Sequence, residues 1–303
     1  RARADTRLRM SEHPLTAPAR RITGLGAVAP GYDLLLSDIW GVVHNGREHF
    51  PAAVDALRRF RAGGGRVVLL TNAPRPHGSV IGQLDGLAVP RDAYDGVVTS
   101  GDVAAALILE RGGAPLLHLG PDRDLALYDE VERASGRAQP RVAAEEAEFC
   151  VCTGLFDDTI ETPDDYAATF AIMRARQTPM ICANPDIVVH RGEDEVFCAG
   201  ALAARYAELG GTVIQAGKPY APIYAMALRA AGVAPPKARI AAIGDAMATD
   251  IRGALDLGVD AIFVTGGIHR EALRPGPDAE TRAARFYAEA GFAPQMTLPA
   301  LVW

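Results

Sequence analysis

The sequence predicts an α/β protein built around a mostly parallel sheet. Short apolar runs alternate along most of the chain with turns and with amphipathic or alanine-rich stretches, which is the pattern of repeated β-α units. Apolar residues make up 49% of the 303 residues, enough for a substantial core. Side chains suited to chemistry recur where predicted strands end, and ligands bind at that edge of an open parallel sheet.

The first predicted unit starts with the strand "YDLLLSD", residues 32–38. The helix "PAAVDALRRFRAGGG" follows, because Pro51 suits a first helical position and the glycines 63–65 suit a C-terminal stop. "RVVLLTN", residues 66–72, is the next strand. Further strands, most of them followed by a helical pattern, are predicted at "DGVVTS", "PLLHLG", "EFCVCTG", "PMICAN", "TVIQAG", "RIAAIGD" and "DAIFVTGG".

The stretch between the second strand end and Lys218 is longer than one sheet needs. It contains 145 residues, 73–217, so we expect a separate domain inserted within it. We place the core at residues 1–112 and 208–303 and the inserted α/β cap at 113–207.

Composition limits the partners that the protein can have. The net charge of −6 is scattered and forms no basic stripe, which argues against nucleic acid. No run approaches the ~18 to 20 apolar residues of a membrane span, and the start of the chain has no hydrophobic signal core, so we expect a soluble, cytoplasmic protein that does not bind membranes. The arginine-rich residues 1–9 are interpreted as a tail, with Met10 as a natural start.

Four cysteines occur without any C-x-x-C spacing, at Cys150, Cys152, Cys182 and Cys198. Cys150 and Cys152 would share one face of a strand. We therefore predict small buried hydrophobic side chains rather than zinc ligands or disulfides.

Two motifs near the first strand ends suggest phosphate chemistry. Asp38 passes into the turn "DIWGVVHNG", where it is placed either to attack an electrophile in a cleft or simply to cap the turn. In "TNAPRP" the Thr71 hydroxyl and the following backbone N–H can cradle a phosphate, although a plain turn explains the motif equally well.

Two further motifs lie in the C-terminal third. "AGKPYAP" places Lys218 just before a helix, where an ammonium group can neutralise phosphate, or where it is an ordinary surface lysine. In "IGDAMATDIRGA", Asp245 ends a strand and Asp250 follows about one helical turn later. Together with Asp38 they would supply hard oxygen ligands for Mg²⁺, whereas the alternative is a helix cap and a surface acid.

The order and spacing of these four motifs resemble the haloacid dehalogenase (HAD) superfamily of aspartate-nucleophile phosphatases. The resemblance extends from about Gly31 to the C-terminus. Within the superfamily, the chain is similar to class IIA, whose large cap lies between the second and third motifs and which includes 4-nitrophenyl-phosphate, nucleotide and pyridoxal-phosphate phosphatases. "GVVHNG", "TSGDVAAALI" and "ANPD" (183–186) add to the likeness. It implies a Rossmann-like core with an inserted cap.

The resemblance also implies a metal site and a nucleophile. Asp38 would be the nucleophile and a ligand of Mg²⁺. The backbone carbonyl of Trp40 and the Asp245 carboxylate would be further ligands, and Asp250 would orient the ion or a bound water.

The remaining roles that the resemblance implies concern the substrate. Thr71 and the Asn72 backbone would bind the transferring phosphoryl group, and Lys218 would hold it against the nucleophile. Asn184 and Asp186 of the cap would reach the leaving group, which would belong to a small phosphorylated metabolite. Whether identical chains associate through the cap is left open.

Trp40 departs from the family pattern, which has a second aspartate two residues after the nucleophile. An indole N–H is a donor only and does not titrate near neutral pH, so it cannot replace a general acid-base that is worth roughly 10²- to 10⁴-fold. Ordinary alkyl esters should therefore react slowly. Trp40 itself would pack against the cap or stack on the leaving group.

Three solutions to the missing acid stay open. The substrate carries a good leaving group, such as an aryl or acyl phosphate; another residue supplies the proton; or the protein binds a phosphorylated ligand without efficient turnover. His44 in the loop after Asp38 is the candidate for the second solution, because histidine titrates in the right range. The alternative is a solvent-exposed loop histidine.

The leading interpretation is Mg²⁺-dependent phosphoryl hydrolysis through an aspartyl-phosphate at Asp38, weak on alkyl esters. The main alternative is a catalytically impaired protein that binds or senses a phosphorylated metabolite. A carbon-halogen hydrolase is less favoured, because a halide leaving group does not need a set of Mg²⁺-binding carboxylates.

Overall fold

The computed structural model describes residues 19–191, 194–233 and 238–303 of the chain. The predicted tail, residues 1–9, and the predicted start at Met10 lie outside the described residues.

The strands cover the predicted apolar runs and add four short ones. In chain order they are β1 Arg20–Arg21, β2 Leu34–Asp38, β3 Arg66–Thr71, β4 Gly96–Thr99, β5 Leu116–Leu119, β6 Phe149–Cys152, β7 Met180–Cys182, β8 Val188–Arg191, β9 Asp194–Phe197, β10 Val213–Gln215, β11 Ile240–Gly244, β12 Asp260–Val264 and β13 Met296–Leu298. The sequence did not reveal β1, β8, β9 or β13, which are two to four residues long.

The helices connect most of these strands. In chain order they are α1 Pro51–Ala62, α2 His77–Gly86, α3 Ser100–Leu109, α4 Ala126–Ser135, α5 Ala167–Arg176, α6 Ala199–Glu208, α7 Ala221–Ala231, α8 Arg252–Leu257 and α9 Ala279–Ala290. Helix α1 begins at Pro51 and stops before Gly63, as its sequence predicts. Within the described ranges, no helix combines the length and the apolar character that crossing a bilayer needs.

Seven strands form the larger sheet, in the order β1-β13-β12-β11-β2-β3-β4. Every neighbouring pair is parallel. Helices cover both faces of such a sheet, which is why its central strands are continuous apolar runs. The α/β prediction with a mostly parallel sheet is confirmed.

Alternate residues of the central strands supply two different cores. Leu34 and Leu36 of β2 belong to one buried cluster, whereas Leu35 belongs to the cluster on the opposite face. The first cluster also contains Phe149 and Val151 of β6. The segment between β4 and β11 therefore packs on one face of the larger sheet.

That segment contains a second parallel sheet with the order β10-β7-β6-β5, together with the antiparallel pair β8-β9. The predicted boundary at 207/208 assigned β10 to the core. This detail is wrong, because Val213–Gln215 pairs with Met180–Cys182 in the second sheet. Strand length and composition do not specify a partner, so the sequence could not show which sheet β10 joins.

The four cysteines are buried and free. Cys150, Cys152 and Cys182 pack with Phe170 and Tyr206 on the face of the second sheet that turns away from the larger one. They act as small hydrophobic side chains, as predicted.

Candidate active site

The predicted site residues stand where parallel strands end. Asp38 is the last residue of β2, Thr71 is the last residue of β3, and Asp245 follows β11 directly. Lys218 lies three residues after β10 and therefore enters from the second sheet. The site is thus built between the C-terminal edges of two parallel sheets, and not at the edge of one.

Three buried carboxylates form a cluster at this place. Asp38, Asp245 and Asp250 each offer one oxygen atom, and these atoms lie within 4.8 Å of one another. The Lys218 ammonium donates hydrogen bonds to Asp38 Oδ1 at 2.7 Å and to Asp250 Oδ1 at 2.6 Å. The structure therefore brings these four side chains into one neighbourhood, away from bulk water.

The backbone fixes the Asp245 carboxylate from two sides. Its Oδ2 accepts a hydrogen bond of 2.9 Å from the N–H of Ile268 in the loop after β12. A Cβ atom added to Gly267 or to Gly41 would lie 2.0 Å from the same Oδ2. Both loops can approach the carboxylate this closely only because these residues are glycines.

Asp250 is held in place by a different structural feature, a π-helix. It belongs to a π-helix, Met247–Ile251, that precedes α8. Its Oδ2 accepts a hydrogen bond of 3.1 Å from the N–H of Ala246, which leaves Oδ1 for Lys218. Such wide turns recur at functional sites because they re-aim one side chain within a helix.

Burial makes the charges of this cluster interdependent. Desolvation, followed by the negative charge of Asp250, raises the pKa of Asp38 well above its usual value, although Lys218 opposes the shift. Desolvation and Asp250 likewise raise the pKa of Asp245 to about 7. Burial alone lowers the pKa of Lys218, but Asp250 and Asp38 more than offset this and raise it, so the lysine stays an ammonium. Full ionisation of the three carboxylates would give the cluster an excess of negative charge, and the raised pKa values of Asp38 and Asp245 oppose that state.

A cavity of about 370 Å³ opens above these groups. Asp38, Asp245 and Lys218 line its floor, and Thr71 and Asn72 line it as well. This volume is near the lower end of the roughly 300 to 1,000 Å³ of ligand pockets, so a small metabolite fits and a dinucleotide does not.

The Asn72 side chain connects the two sheets at this cavity. Its Oδ1 accepts a hydrogen bond of 2.7 Å from the Lys218 N–H, and its Nδ2 donates to the Lys218 carbonyl at 3.2 Å. Nδ2 also donates to Asp186 Oδ1 at 2.9 Å. Sequence reasoning assigned only the Asn72 backbone to the site, whereas the buried amide holds the lysine segment and the cap loop in place.

Similarity to known proteins agrees with this arrangement. A family profile described as Haloacid dehalogenase-like hydrolase matches residues 35–133, and a second HAD-hydrolase-like profile matches residues 215–289. A solved hydrolase of the haloacid dehalogenase-like family from Brucella suis 1330 is 44% identical, with 94% of this chain and 100% of that chain covered and a TM-score of 0.79. The chain belongs to the haloacid dehalogenase-like hydrolases.

Two more distant solved structures share the fold of this HAD-like hydrolase. A 4-nitrophenylphosphatase from Thermotoga maritima is 24% identical, covers 90% of this chain and 96% of its own, and has a TM-score of 0.67. A glycerol phosphate phosphatase from Mycobacterium tuberculosis, solved in complex with calcium, is 25% identical over 82% of this chain and 71% of its own, with a TM-score of 0.62. No curated protein matches the sequence significantly.

The cap loop of the hydrolase brings one of its two predicted residues to the cavity. Asp186 lines the cavity, and burial raises the pKa of its carboxyl group, although Lys218 and Asn72 oppose the shift. Asn184 does not line it: its Oδ1 accepts a hydrogen bond of 3.1 Å from the Asp186 N–H. In this structure the residue shapes the turn that presents Asp186, and its contact with the leaving group stays a prediction.

Trp40 lines the cavity, and 44% of the residue is exposed. The ring lies edge-on to His44, with 5.3 Å between centroids. A Cβ atom on Gly46 would lie 2.3 Å from the indole Cη2 atom. Gly46 has φ +85°, so glycine is required there by conformation as well as by space.

His44 is not placed for proton transfer. Only 2% of the residue is exposed, and it does not line the cavity. Its Nδ1 accepts a hydrogen bond of 3.0 Å from the Gly46 N–H, and desolvation lowers its pKa to about 4. The alternative of a solvent-exposed histidine is wrong, because the loop turns this side chain inward to support Trp40, and the same burial and low pKa argue against the predicted acid.

Sequence reasoning missed several residues of the cavity wall. They are Arg47, Phe50, Val188, Val189, Ile268 and Arg270. The signal for two of them was present, because Arg47 and Arg270 lie in glycine-containing loops after β2 and β12. The valines lie in β8, a strand that the sequence did not reveal.

Proposed function

We propose that this HAD-like hydrolase is a Mg²⁺-dependent phosphatase that acts on a small phosphorylated metabolite through an aspartyl-phosphate at Asp38. The buried cluster of Asp38, Asp245, Asp250 and Lys218, of which the first two and the lysine line one cavity, carries this proposal. The fold shared with a 4-nitrophenylphosphatase and a glycerol phosphate phosphatase supports the same class of reaction.

The proposed reaction has two steps at phosphorus. First, an Asp38 oxygen forms a bond to phosphorus while the bond from phosphorus to the leaving oxygen breaks. Water then attacks phosphorus, releases inorganic phosphate and restores the carboxylate. Thr71 and the Asn72 backbone bind the phosphoryl oxygens, and the Lys218 ammonium offsets the repulsion between the phosphate and Asp38.

The donor set fits a divalent cation. Three ionised carboxylates that face one ammonium would leave two net negative charges for a cation to offset, and their oxygens are the hard ligands that Mg²⁺ prefers. Asp38, Asp245, Asp250 and the Trp40 backbone carbonyl would hold the ion. When bound, Mg²⁺ supplies positive charge next to the phosphoryl group.

The leaving group decides which substrates react well. No titratable acid stands at position 40, and His44 is buried beside it with a low pKa. An alkoxide must be protonated as it leaves, whereas a phenolate or a carboxylate leaves without help. Aryl and acyl phosphates should therefore be hydrolysed faster than alkyl phosphates.

The test is an assay of the purified protein with 4-nitrophenyl phosphate, acetyl phosphate and several sugar phosphates, with MgCl₂ or with EDTA. We expect hydrolysis of the first two compounds that depends on the metal, and slow release of phosphate from the sugars. If no phosphate were hydrolysed but phosphate compounds bound measurably, the protein would be a phosphometabolite-binding protein and not an enzyme.

Stabilisation by Mg²⁺ should increase as the pH rises. The pKa of Asp245 is about 7 in the folded protein and about 4 in the unfolded chain, so the folded protein holds this proton more tightly. Without metal, the stability that comes from this proton is therefore fully present below about pH 4 and is lost as the pH rises through about 7. Mg²⁺ binds the ionised carboxylates, so the increase in Tm on adding MgCl₂ should be larger at about pH 8 than at about pH 5. Thermal melts of Asp245→Asn provide the control, since that variant should lose most of the pH dependence. Equal increases at both pH values in the wild type would contradict the metal assignment.

A further inference from the structure

We propose that the leaving group of the substrate is an aromatic ring that carries an acidic group such as a carboxylate. In this assignment Trp40 binds the ring, and Arg47 and Arg270 bind the acid. The inference rests on the proposed phosphatase function, because it assumes that the phosphoryl group occupies the floor of the same cavity.

Trp40 is held as a fixed platform at the cavity wall. The contacts with His44 and with the Cα side of Gly46 support one part of the indole, and Trp40 lines the cavity while 44% of the residue stays exposed. The loop itself is fixed by backbone hydrogen bonds, since the Gly41 N–H donates to the His44 carbonyl at 2.8 Å. A large aromatic surface that is already immobile binds a flat ring with little further loss of conformational entropy.

The two arginines bring positive charge to the same cavity from two loops. The Arg47 guanidinium has no hydrogen bond or ion pair within the described part of the structure, which leaves out the side chains of residues 1–18, 190–194 and 234–237. Among the described side chains, Arg270 pairs with Glu271, at 3.7 Å and with both side chains largely exposed, a pair that contributes little. Both guanidinium groups are therefore available to an anionic ligand, and arginine suits a carboxylate through paired hydrogen bonds.

Part of the remaining wall is apolar. Val188, Val189 and Ile268 contribute apolar surface. Asn45 also lines the cavity, and its Oδ1 already accepts hydrogen bonds from the backbone N–H groups of Arg47 and Glu48. The face of an arene loses no hydrogen bonds when it is buried against the apolar part of this wall, whereas sugar hydroxyls placed there would lose water without gaining partners.

The experiment compares 4-carboxyphenyl phosphate with its neutral amide, 4-carbamoylphenyl phosphate. The two rings have the same size, and the amide is no worse as a leaving group, so leaving-group chemistry cannot favour the acid. We expect kcat/KM to be about tenfold or more higher for the carboxylate, which is the order of a charge-assisted hydrogen bond. Equal values for the two compounds would overturn the proposal.

Alanine variants show which residues recognise the substrate carboxylate. Arg47→Ala and Arg270→Ala should each reduce the ratio of kcat/KM for the carboxylate to kcat/KM for the amide severalfold. Arg285→Ala removes the same charge from α9, where the side chain is 82% exposed and remote from the cavity lining, and should change neither value. An equal effect of all three variants would mean that general charge, and not a site, produces the preference.

A binding measurement separates this inference from the phosphatase proposal. Calorimetry with (4-carboxybenzyl)phosphonate and its cyclohexyl analogue does not require turnover. We expect tighter binding of the aromatic compound, and Trp40→Leu should remove that difference. Turnover of aryl phosphates without any carboxylate preference would overturn this inference alone. If no phosphate were hydrolysed but the phosphonate bound in a way that depends on the arginines, the phosphatase proposal would be contradicted and the recognition of an acidic arene would be supported.

Discussion

Asp38→Asn should abolish the hydrolysis of every phosphate ester while the protein stays folded. An amide oxygen is neutral and a poor nucleophile, so the first bond to phosphorus cannot form. Loss of a covalent nucleophile costs on the order of 10⁶-fold in kcat where it has been measured in a hydrolase. The variant should therefore show no turnover above background with 4-nitrophenyl phosphate.

Asp38→Asn should lose its activity without losing stability. Burial and the neighbouring acids raise the pKa of Asp38, so its ionised form is unfavourable in the folded protein without metal. Asparagine removes that charge and retains an oxygen that can accept the Lys218 hydrogen bond. Melting curves without metal should show a Tm at or above that of the wild type, whereas the increase on adding MgCl₂ should become smaller.

Asp129→Asn is the matched control for this prediction. Asp129 lies exposed in α4, away from the cavity, so the same chemical change there should leave turnover and the Mg²⁺ effect intact. If Asp38→Asn kept a tenth of the wild-type rate, another group would have to be the nucleophile.

Strand ends could be predicted because they depend on local signals. The apolar runs before Asp38 and Asp245 and the turn residues after them fix where each strand stops, and a parallel sheet then brings such ends to one edge. Asp250 follows from its spacing to Asp245, although its aim toward Lys218 depends on a π-helix that no pattern indicated.

Interactions that depend on distant pairing could not be predicted. Lys218 follows a short strand whose partner is set by the packing of the cap segment, so its origin in the second sheet was invisible. The burial of His44 depends on a loop that turns at Gly41 and Gly46, both with positive φ. Composition shows that such a loop contains glycines, but it does not show which side chain turns inward.

Trp40→Asp should accelerate the hydrolysis of alkyl phosphates. Aspartate at this position would protonate the leaving oxygen and then activate the water that attacks the aspartyl-phosphate. General acid-base help of this kind is worth roughly 10²- to 10⁴-fold. The gain in kcat/KM should be largest for alkyl esters and small for 4-nitrophenyl phosphate, whose leaving group needs no proton, so the dependence on leaving-group pKa should become shallower.

Trp40→Asn is the control that distinguishes the effect of the new acid from the effect of the space left by the indole. It has the size of aspartate and the same loss of aromatic surface, but it cannot titrate. If both variants gained equally, the wild type would be limited by room in the cavity and not by a missing acid. If neither variant gained, the wild type would already have another source for the proton, and its preference for aryl esters would need a different cause.

The missing acid-base residue at position 40 should also slow the second step in the wild type, the hydrolysis of the aspartyl-phosphate. Without a base at position 40, water attacks the aspartyl-phosphate slowly, whereas 4-nitrophenolate leaves quickly in the first step. A rapid burst of 4-nitrophenolate, close to one equivalent of enzyme, should precede a slower steady rate. In Trp40→Asp the steady rate should rise toward the burst rate, because the carboxylate then assists the water. A linear time course in the wild type would show that hydrolysis of the intermediate does not limit turnover, and that the tryptophan affects only the departure of the alcohol.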